Sequence, residues 1–228
     1  MQYIESSVIG VRSAVITLKR RTTPLRFVLF PMVHVAEPAF YATVEARAGK
    51  CDLIVAEGMP SGYAPAQEWM SKIRLDHLVD QMTGLDLERT GVPVQWEEAP
   101  PSPARSGREQ AVGALTDAAA AVVLRALGRY GSPLGSPSLD QADEHDDRWD
   151  RRAAGRLERI VQDRVLDARD SVLVRALGAI HRERYTEQAN IAVVYGAAHV
   201  PAVVDYLTET FKYYVEKAEW LTVAHAPE

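Results

Sequence analysis

Three apolar, strand-like runs each end on a residue suited to acid–base or metal chemistry, and this pattern constrains the fold more than any other feature. The run 25–33 ends on His34, the run 53–56 ends on Glu57, and the run 191–198 ends on His199. A side chain at a strand end leaves the sheet while its backbone stays fixed, which is why α/β proteins place reactive groups there. The pattern predicts an α/β fold with two imidazoles and a carboxylate at a sheet edge.

A helix between the first two runs makes them a βαβ unit. Pro38 stands in the first helical turn, where no amide hydrogen is needed, apolar residues recur at helical spacing, and Gly49 ends the helix. Such a unit implies a parallel strand pair with a right-handed crossover. Glu97 follows a further short strand at 92–96. If all these strands are parallel, His34, Glu57, Glu97 and His199 share one edge of the sheet.

The remaining patterns complete a mixed architecture. We expect a single domain over residues 1–228, with an α/β (α+β mixed) fold, a central largely parallel sheet, and a mainly helical insertion or cap at about 64–182. Further strands are predicted at 13–18, 211–214 and 218–223, and further helices at 66–82, 108–130, about 147–181 and 200–207.

Composition narrows the class of protein. The chain has 228 residues, 47% of them hydrophobic, with 26 Lys and Arg against 31 Asp and Glu, a net charge of −5. This charge argues against general attraction to nucleic acid or to an anionic membrane. Cys51 is the only cysteine, which excludes an intramolecular disulfide and a cysteine-based zinc site. No apolar run is long enough to span a bilayer and no signal peptide is recognisable, so we expect a cytoplasmic protein.

Each candidate residue has a functional and a purely structural interpretation. Glu57 is costly to bury unless it is paired or ligated, and a salt bridge to a helical arginine would also satisfy it. His199 closes a turn of small residues before a helix, where a ligand can approach closely, or where the ring only caps the turn. Arg169 could hold Glu57 or a substrate oxyanion, or it could remain a solvated helix charge. Asp170 is adjacent to Arg169 in the predicted helix, and adjacent helical residues do not share a face. His34 could equally be a core or turn residue.

At these residues the chain resembles the TraB/Tiki family, within a wider grouping that includes erythromycin-esterase-like and ChaN-like proteins. The family pattern is an early Gly-x-x-His after a strand, a Glu ending the next strand, an Arg-Asn or Arg-Asp pair on a late helix, and a late Gly-x-x-His. Glu57, the pair Arg169-Asp170 and the motif Gly196-Ala197-Ala198-His199 match it. The early motif reads Pro31-Met32-Val33-His34, with proline in place of glycine. The resemblance covers nearly the whole chain and implies an α/β core with a helical insertion.

The resemblance also implies an activity. Eukaryotic members suggest metal-dependent peptide-bond hydrolysis, and plasmid-borne members suggest shutdown of a peptide pheromone. The leading hypothesis is a metal-dependent hydrolase of a peptide or other amide. His34, Glu57 and His199 would bind manganese, cobalt or zinc, and the metal would acidify its bound water. Glu57 would be a ligand or the general base, and Arg169 would stabilise the oxyanion or orient Glu57.

Two alternatives stay open. A metal-free, esterase-like hydrolase would use a histidine as general base, oriented by Glu57. A non-catalytic protein would bind a peptide, a small ligand or haem, or act as a regulator, and Pro31 favours this alternative because proline lacks an amide that could serve a substrate. The expected partner is a peptide or small-molecule substrate. Aromatic residues in the segment 211–223 could also pair across a homodimer.

Overall fold

The structure, a computed structural model, describes residues 2–7, 9–33, 35–58, 78–97 and 167–225. All of these except Asp167 and Ala168 belong to one compact unit, Gln2–Ala99 with Arg169–Glu228. His34, the predicted helix at 108–130, and most of the predicted helix at 66–82 and of the predicted insertion at 64–182 lie outside the described residues. The description below concerns the one unit.

A seven-stranded sheet forms the centre of this unit, and a separate two-stranded sheet pairs β4 with β6. The predicted mixed α/β fold is confirmed. The strands are β1 (Ile4–Ser7), β2 (Gly10–Arg20), β3 (Thr23–Met32), β4 (Val35–Ala36), β5 (Leu53–Glu57), β6 (Val79–Asp80), β7 (Val94–Glu97), β8 (Asn190–Gly196) and β9 (Tyr214–His225).

One half of the large sheet is parallel and the other half is antiparallel. The parallel half runs in the order β3-β8-β5-β7, and β2 continues it antiparallel to β3, with β1 and β9 pairing to β2. The expected direct pairing of β3 with β5 is wrong, because β8 lies between them and Val194 is opposite both Phe30 and Ala56. The expected parallel direction is confirmed, including for β7 and β8. The carboxyl ends of four strands therefore meet at one edge.

Helices cover both faces of the sheet. They are α1 (Pro38–Ala48), α2 (Gln81–Gly84), α3 (Asp167–Arg184) and α4 (Val200–Phe211), with short 3-10 turns at Glu88–Thr90 and Ala197–His199. Helices α3 and α4 pack their buried faces, including Leu173, Leu177, Val203 and Leu207, against one side of the sheet. On the other side, Arg47 at the end of α1 and Phe30 of β3 line the same groove.

This layering explains why the central strands are almost uniformly apolar. A parallel strand that is covered on both faces needs apolar side chains at successive positions rather than at alternate ones. The run Ile191 to Tyr195 is buried throughout, and so is the run Ile54 to Ala56. Each fully buried Val, Leu or Ile contributes about 1.5–3 kcal/mol to folding.

The antiparallel half departs most from the predicted strands. One continuous strand, β9, replaces the two predicted at 211–214 and 218–223, because its charged middle still pairs with β2, with Lys217 opposite Thr17 and Glu219 opposite Val15. Helix α4 continues to Phe211, beyond the predicted end at 207. Among the described residues, no helix combines the length and apolarity needed to cross a membrane.

Candidate active site

The carboxyl edge of the parallel half supports the candidate site. Glu57 is the last residue of β5, and Gly196 is the last residue of β8. His199 follows Gly196 through a single 3-10 turn and immediately precedes α4. The sheet thus fixes the backbones of Glu57 and His199. Glu57 is the last residue of a buried strand, and His199 lies three residues after the end of another.

Helix α3 adds two charged side chains to this edge. Arg169 donates a hydrogen bond from Nη1 to Oε1 of Glu57. Nδ1 of His199 donates to Oδ1 of Asp170 across 2.6 Å, a length typical of a charge-assisted bond. Glu57, Arg169, Asp170 and His199 therefore form one connected group, called the edge cluster below.

Both oxygens of the Glu57 carboxylate have partners. Oε2 accepts a hydrogen bond from the backbone N–H of Gly196 at 3.0 Å, and Oε1 accepts the one from Arg169. Nε2 of His199 lies 3.7 Å from Oε1, too far for a hydrogen bond but close enough for a strong electrostatic interaction. The carboxylate is held in place while a gap remains between it and the imidazole.

Gly196 leaves room for the Glu57 carboxylate beside its backbone. A Cβ atom added there would lie 3.3 Å from Oε2 of Glu57 and 3.6 Å from Cδ2 of His199. Its backbone angles, φ −49° and ψ 138°, are accessible to any residue. The absence of a side chain therefore serves the close approach of the Glu57 carboxylate rather than an unusual backbone conformation.

The cluster is largely shielded from solvent, which strengthens its electrostatics. The side chain of His199 is 4% exposed, and those of Glu57 and Asp170 are 17% and 22% exposed. Burial alone would lower the pKa of His199, but the hydrogen bond to Asp170 and the nearby carboxylates of Glu57 and Asp170 outweigh it and raise the pKa to about 9. Burial would raise the pKa of Glu57, but His199, the Gly196 amide and Arg169 together lower it. At neutral pH the cluster therefore holds a protonated imidazole beside an ionised carboxylate.

Tyr195 supports the cluster from the core. Its ring meets the His199 ring edge to face, with centroids 5.5 Å apart, and its hydroxyl donates to the backbone oxygen of Glu97 at 3.2 Å. Burial, followed by the nearby carboxylates of Glu57 and Glu97, raises the pKa of Tyr195 well above its usual range. Tyr195 stays neutral and packs against His199 rather than exchanging protons.

The predicted metal site can be compared with this geometry. Among the described residues, no group of three or more His, Cys, Asp or Glu side chains is arranged to hold a metal ion. Of the predicted ligands that the structure describes, Nε2 of His199 lies 3.7 Å from Oε1 of Glu57, and the guanidinium of Arg169 already lies on that oxygen. A cation bound at that oxygen would have to compete with Arg169.

The edge brings together three of the four predicted site residues: Glu57, Arg169 and His199. The fourth, His34, lies outside the described residues. Glu97 is opposite Glu57 in the neighbouring strand, and Oε1 of its carboxylate accepts a hydrogen bond from Gln95 at 2.5 Å. The lone Cys51 lies away from the cluster, and burial raises the pKa of its thiol to about 11.

Sequence reasoning did not include Asp170 or the Gly196 amide among the site residues. The rule that adjacent helical residues face different ways argued against Asp170. In the structure Arg169 and Asp170 lie near the beginning of α3 and bind different members of the cluster. The Arg-Asp pair of the family pattern was the sequence feature that could have identified Asp170 as a site residue.

Comparison with protein-family models, with curated proteins and with solved structures finds no match to this chain. The functional argument therefore rests on the residues of the edge cluster themselves.

Proposed function

We propose that the edge cluster is the active centre of a hydrolase that cleaves a peptide, another amide or an ester. The observation that carries the proposal is the connected series Asp170–His199–Glu57–Arg169, in which the imidazole of His199 faces the carboxylate of Glu57 across 3.7 Å. Two groups whose surroundings drive them into opposite protonation states are the usual basis for paired acid and base catalysis.

The two facing groups have complementary roles. Glu57 accepts a proton from the attacking water. During this transfer Arg169 holds the Glu57 carboxylate in place. His199 donates its Nε2 proton to the departing nitrogen or oxygen, and its positive charge stabilises the oxyanion that forms first. Asp170 keeps the imidazole protonated and oriented. After cleavage, the proton on Glu57 returns to His199 across the 3.7 Å gap, which restores the initial state.

In this role assignment Asp170, and not Glu57, orients the histidine. Oδ1 of Asp170 lies 2.6 Å from Nδ1, whereas Glu57 is 3.7 Å from Nε2. This differs from the sequence-based esterase hypothesis, in which Glu57 was the orienting group and the histidine was the base.

Hydrolysis of chromogenic esters and of a library of short peptide amides tests the proposal. His199→Gln and Glu57→Gln should each reduce kcat/KM by about 10²–10⁴ on any substrate found. The matched control is His225→Gln, since His225 is exposed and bonds to Glu37 away from the cluster. Full activity in folded His199→Gln protein would contradict the proposal. Binding of a peptide without turnover in the wild-type protein would favour the non-catalytic alternative.

A metal-dependent hydrolase is the second candidate. It would use His34, Glu57 and His199 with manganese, cobalt or zinc. The supporting observation is the hydrogen bond between Asp170 and His199, since a histidine that ligates a metal commonly donates its other N–H to a carboxylate. Elemental analysis of protein purified without chelators, followed by EDTA treatment and metal re-addition, separates the candidates. Activity that survives EDTA supports the first, and activity that only the metal restores supports the second.

We also propose a cytoplasmic location and a peptide or small-molecule substrate rather than nucleic acid. The single cysteine suits a reducing compartment, and the net charge of −5 disfavours a polyanionic partner.

A further inference from the structure

Strand β9 has one long edge that the described part of the chain leaves largely unpaired. One edge pairs antiparallel with β2 from Gly10 to Lys19, and no other described strand pairs with β9. Only the end of the other edge is engaged, where the backbone N–H of Glu37 donates to the oxygen of Val223 at 2.8 Å. An unpaired edge of this length is a ready template for another strand.

The middle of β9 is exposed to solvent as well as unpaired along this edge, although Glu216 pairs with Lys19 and Arg26 and Glu219 pairs with Arg47. Residues 216, 217 and 218 are exposed in succession, whereas a strand covered on one face would alternate between buried and exposed residues. Two large aromatic side chains flank this stretch, Tyr214 and Trp220, and each is 40% exposed. The exposed stretch therefore combines free backbone groups with apolar surface.

Charge determines which strand this edge can accept. Lys217 and Glu219 are two residues apart, lie on the same face and carry opposite charges; within one chain they form an ion pair at 2.9 Å, and Arg47 of α1 lies 3.3 Å from Glu219. An antiparallel copy of the strand related by a twofold axis at Ala218 places Lys217 of each copy opposite Glu219 of the other. Charged residues on an edge strand disfavour pairing with a strand that lacks complementary charges. A second copy of β9 supplies the complementary charges.

We propose that the protein forms a homodimer by antiparallel pairing of β9 with β9, centred on Ala218. The occupant of the edge is thus a second copy of this chain, and the two large sheets become one continuous sheet. The pairing is isologous, so each favourable contact occurs twice. This proposal is independent of the hydrolase activity, since the edge cluster lies at the end of β5 and β8 and none of its residues is in β9.

Charge reversal with sedimentation-velocity measurement tests the charge argument. Lys217→Glu and Glu219→Lys each place like charges opposite each other twice, and each should weaken the dimer at least about tenfold. Because Arg47 is ion-paired with Glu219, the rescue is made in an Arg47→Ala background, where the double variant Lys217→Glu/Glu219→Lys restores opposite charges and should dimerise like Arg47→Ala alone. Glu183→Lys, an exposed change on α3, is the matched control and should have no effect. A wild-type monomer at the highest soluble concentration, or a double variant as monomeric as the single variants, overturns the proposal.

Cysteine cross-linking tests the register separately. In a Cys51→Ser background, Ala218→Cys places a thiol opposite its own copy, where Cβ atoms lie about 4.5–5.5 Å apart. Mild oxidation should therefore produce a disulfide-linked dimer. The control Thr222→Cys should not cross-link, because Thr222 would be opposite Tyr214 of the other copy. Equal cross-linking of both variants would contradict the Ala218 register.

Discussion

Replacing Asp170 with asparagine isolates the interaction that gives the edge cluster its charge state. The change keeps the size of the side chain but removes the negative charge 2.6 Å from Nδ1 of His199. Glu57 and Arg169 keep their own contacts. We expect the variant to fold and the pKa of His199 to fall.

The size of the effect follows from the structure. The cluster raises the pKa of His199 from 6.5 to about 9, which corresponds to about 3 kcal/mol in favour of the protonated form. A hydrogen bond to a charged group contributes about 1.5–3 kcal/mol. Asp170 therefore accounts for about half of the shift or more, and Asp170→Asn should lower the pKa of His199 by about 1–2 units.

The same shift has a consequence for stability. Because the pKa of His199 is raised on folding, protonation stabilises the folded protein fully below about pH 6.5, and this contribution is lost as the pH rises to about 9. Urea unfolding across this range should show a decline of up to about 3 kcal/mol from His199 in the wild type and a smaller decline in Asp170→Asn. His199→Gln, which cannot titrate there, is the control.

Imidazole NMR resonances, followed from pH 5 to 10, give the pKa directly. A pKa of His199 in Asp170→Asn within about half a unit of the wild-type value would refute the reasoning. Such a result would mean that Glu57 alone holds the imidazole in its protonated form.

Three further predictions test the packing and the electrostatics. Gly196→Ala should lower the free energy of unfolding in urea by up to about 1 kcal/mol, because the added Cβ would lie 3.3 Å from Oε2 of Glu57 and the carboxylate would have to shift; a fully stable variant would contradict this. Burial, Arg20 and Arg182 lower the pKa of His181, so its neutral form stabilises the folded state above about pH 6.5 and this contribution is lost at lower pH. His181→Gln should remove that part of the acid dependence, and an unchanged pH profile of unfolding would count against it. Leu177→Ala should reduce the free energy of unfolding by about 2–5 kcal/mol, against little change for the exposed Arg175→Ala measured in parallel.

The sequence predicted those parts of the fold whose signals are local. The buried runs of β3, β5 and β8 are apolar at successive positions because both of their faces are covered, so their composition alone identifies them. Helix α1 begins with Pro38 and is followed by Gly49, as its end signals predict. Glu57 and His199 were predictable for the same reason, since each follows such a run.

Strand order and edge structure were not predictable from local signals. The position of β8 between β3 and β5 depends on pairings between distant residues, such as Arg26 with Asn190. The middle of β9 contains exposed charges without an alternating pattern, and its pairing with β2 shifts register beside it, so it resembled a break between two strands. Asp170 was missed because its role depends on the position of the first turn of α3 relative to His199. The sequence of the helix alone does not determine that position.

The central place of β8 has a consequence for how the chain folds during synthesis. Strands β3 and β5 both end before residue 60 in the sequence, but they do not pair with each other. Each pairs instead with β8, which is synthesised much later. Until residues up to Gly196 have been synthesised, the edges of β3 and β5 that pair with β8 in the folded protein remain unpaired and exposed. Contacts of such wide sequence separation also slow folding. We therefore expect a chain truncated before β8 to expose the apolar edges of β3 and β5 and to aggregate.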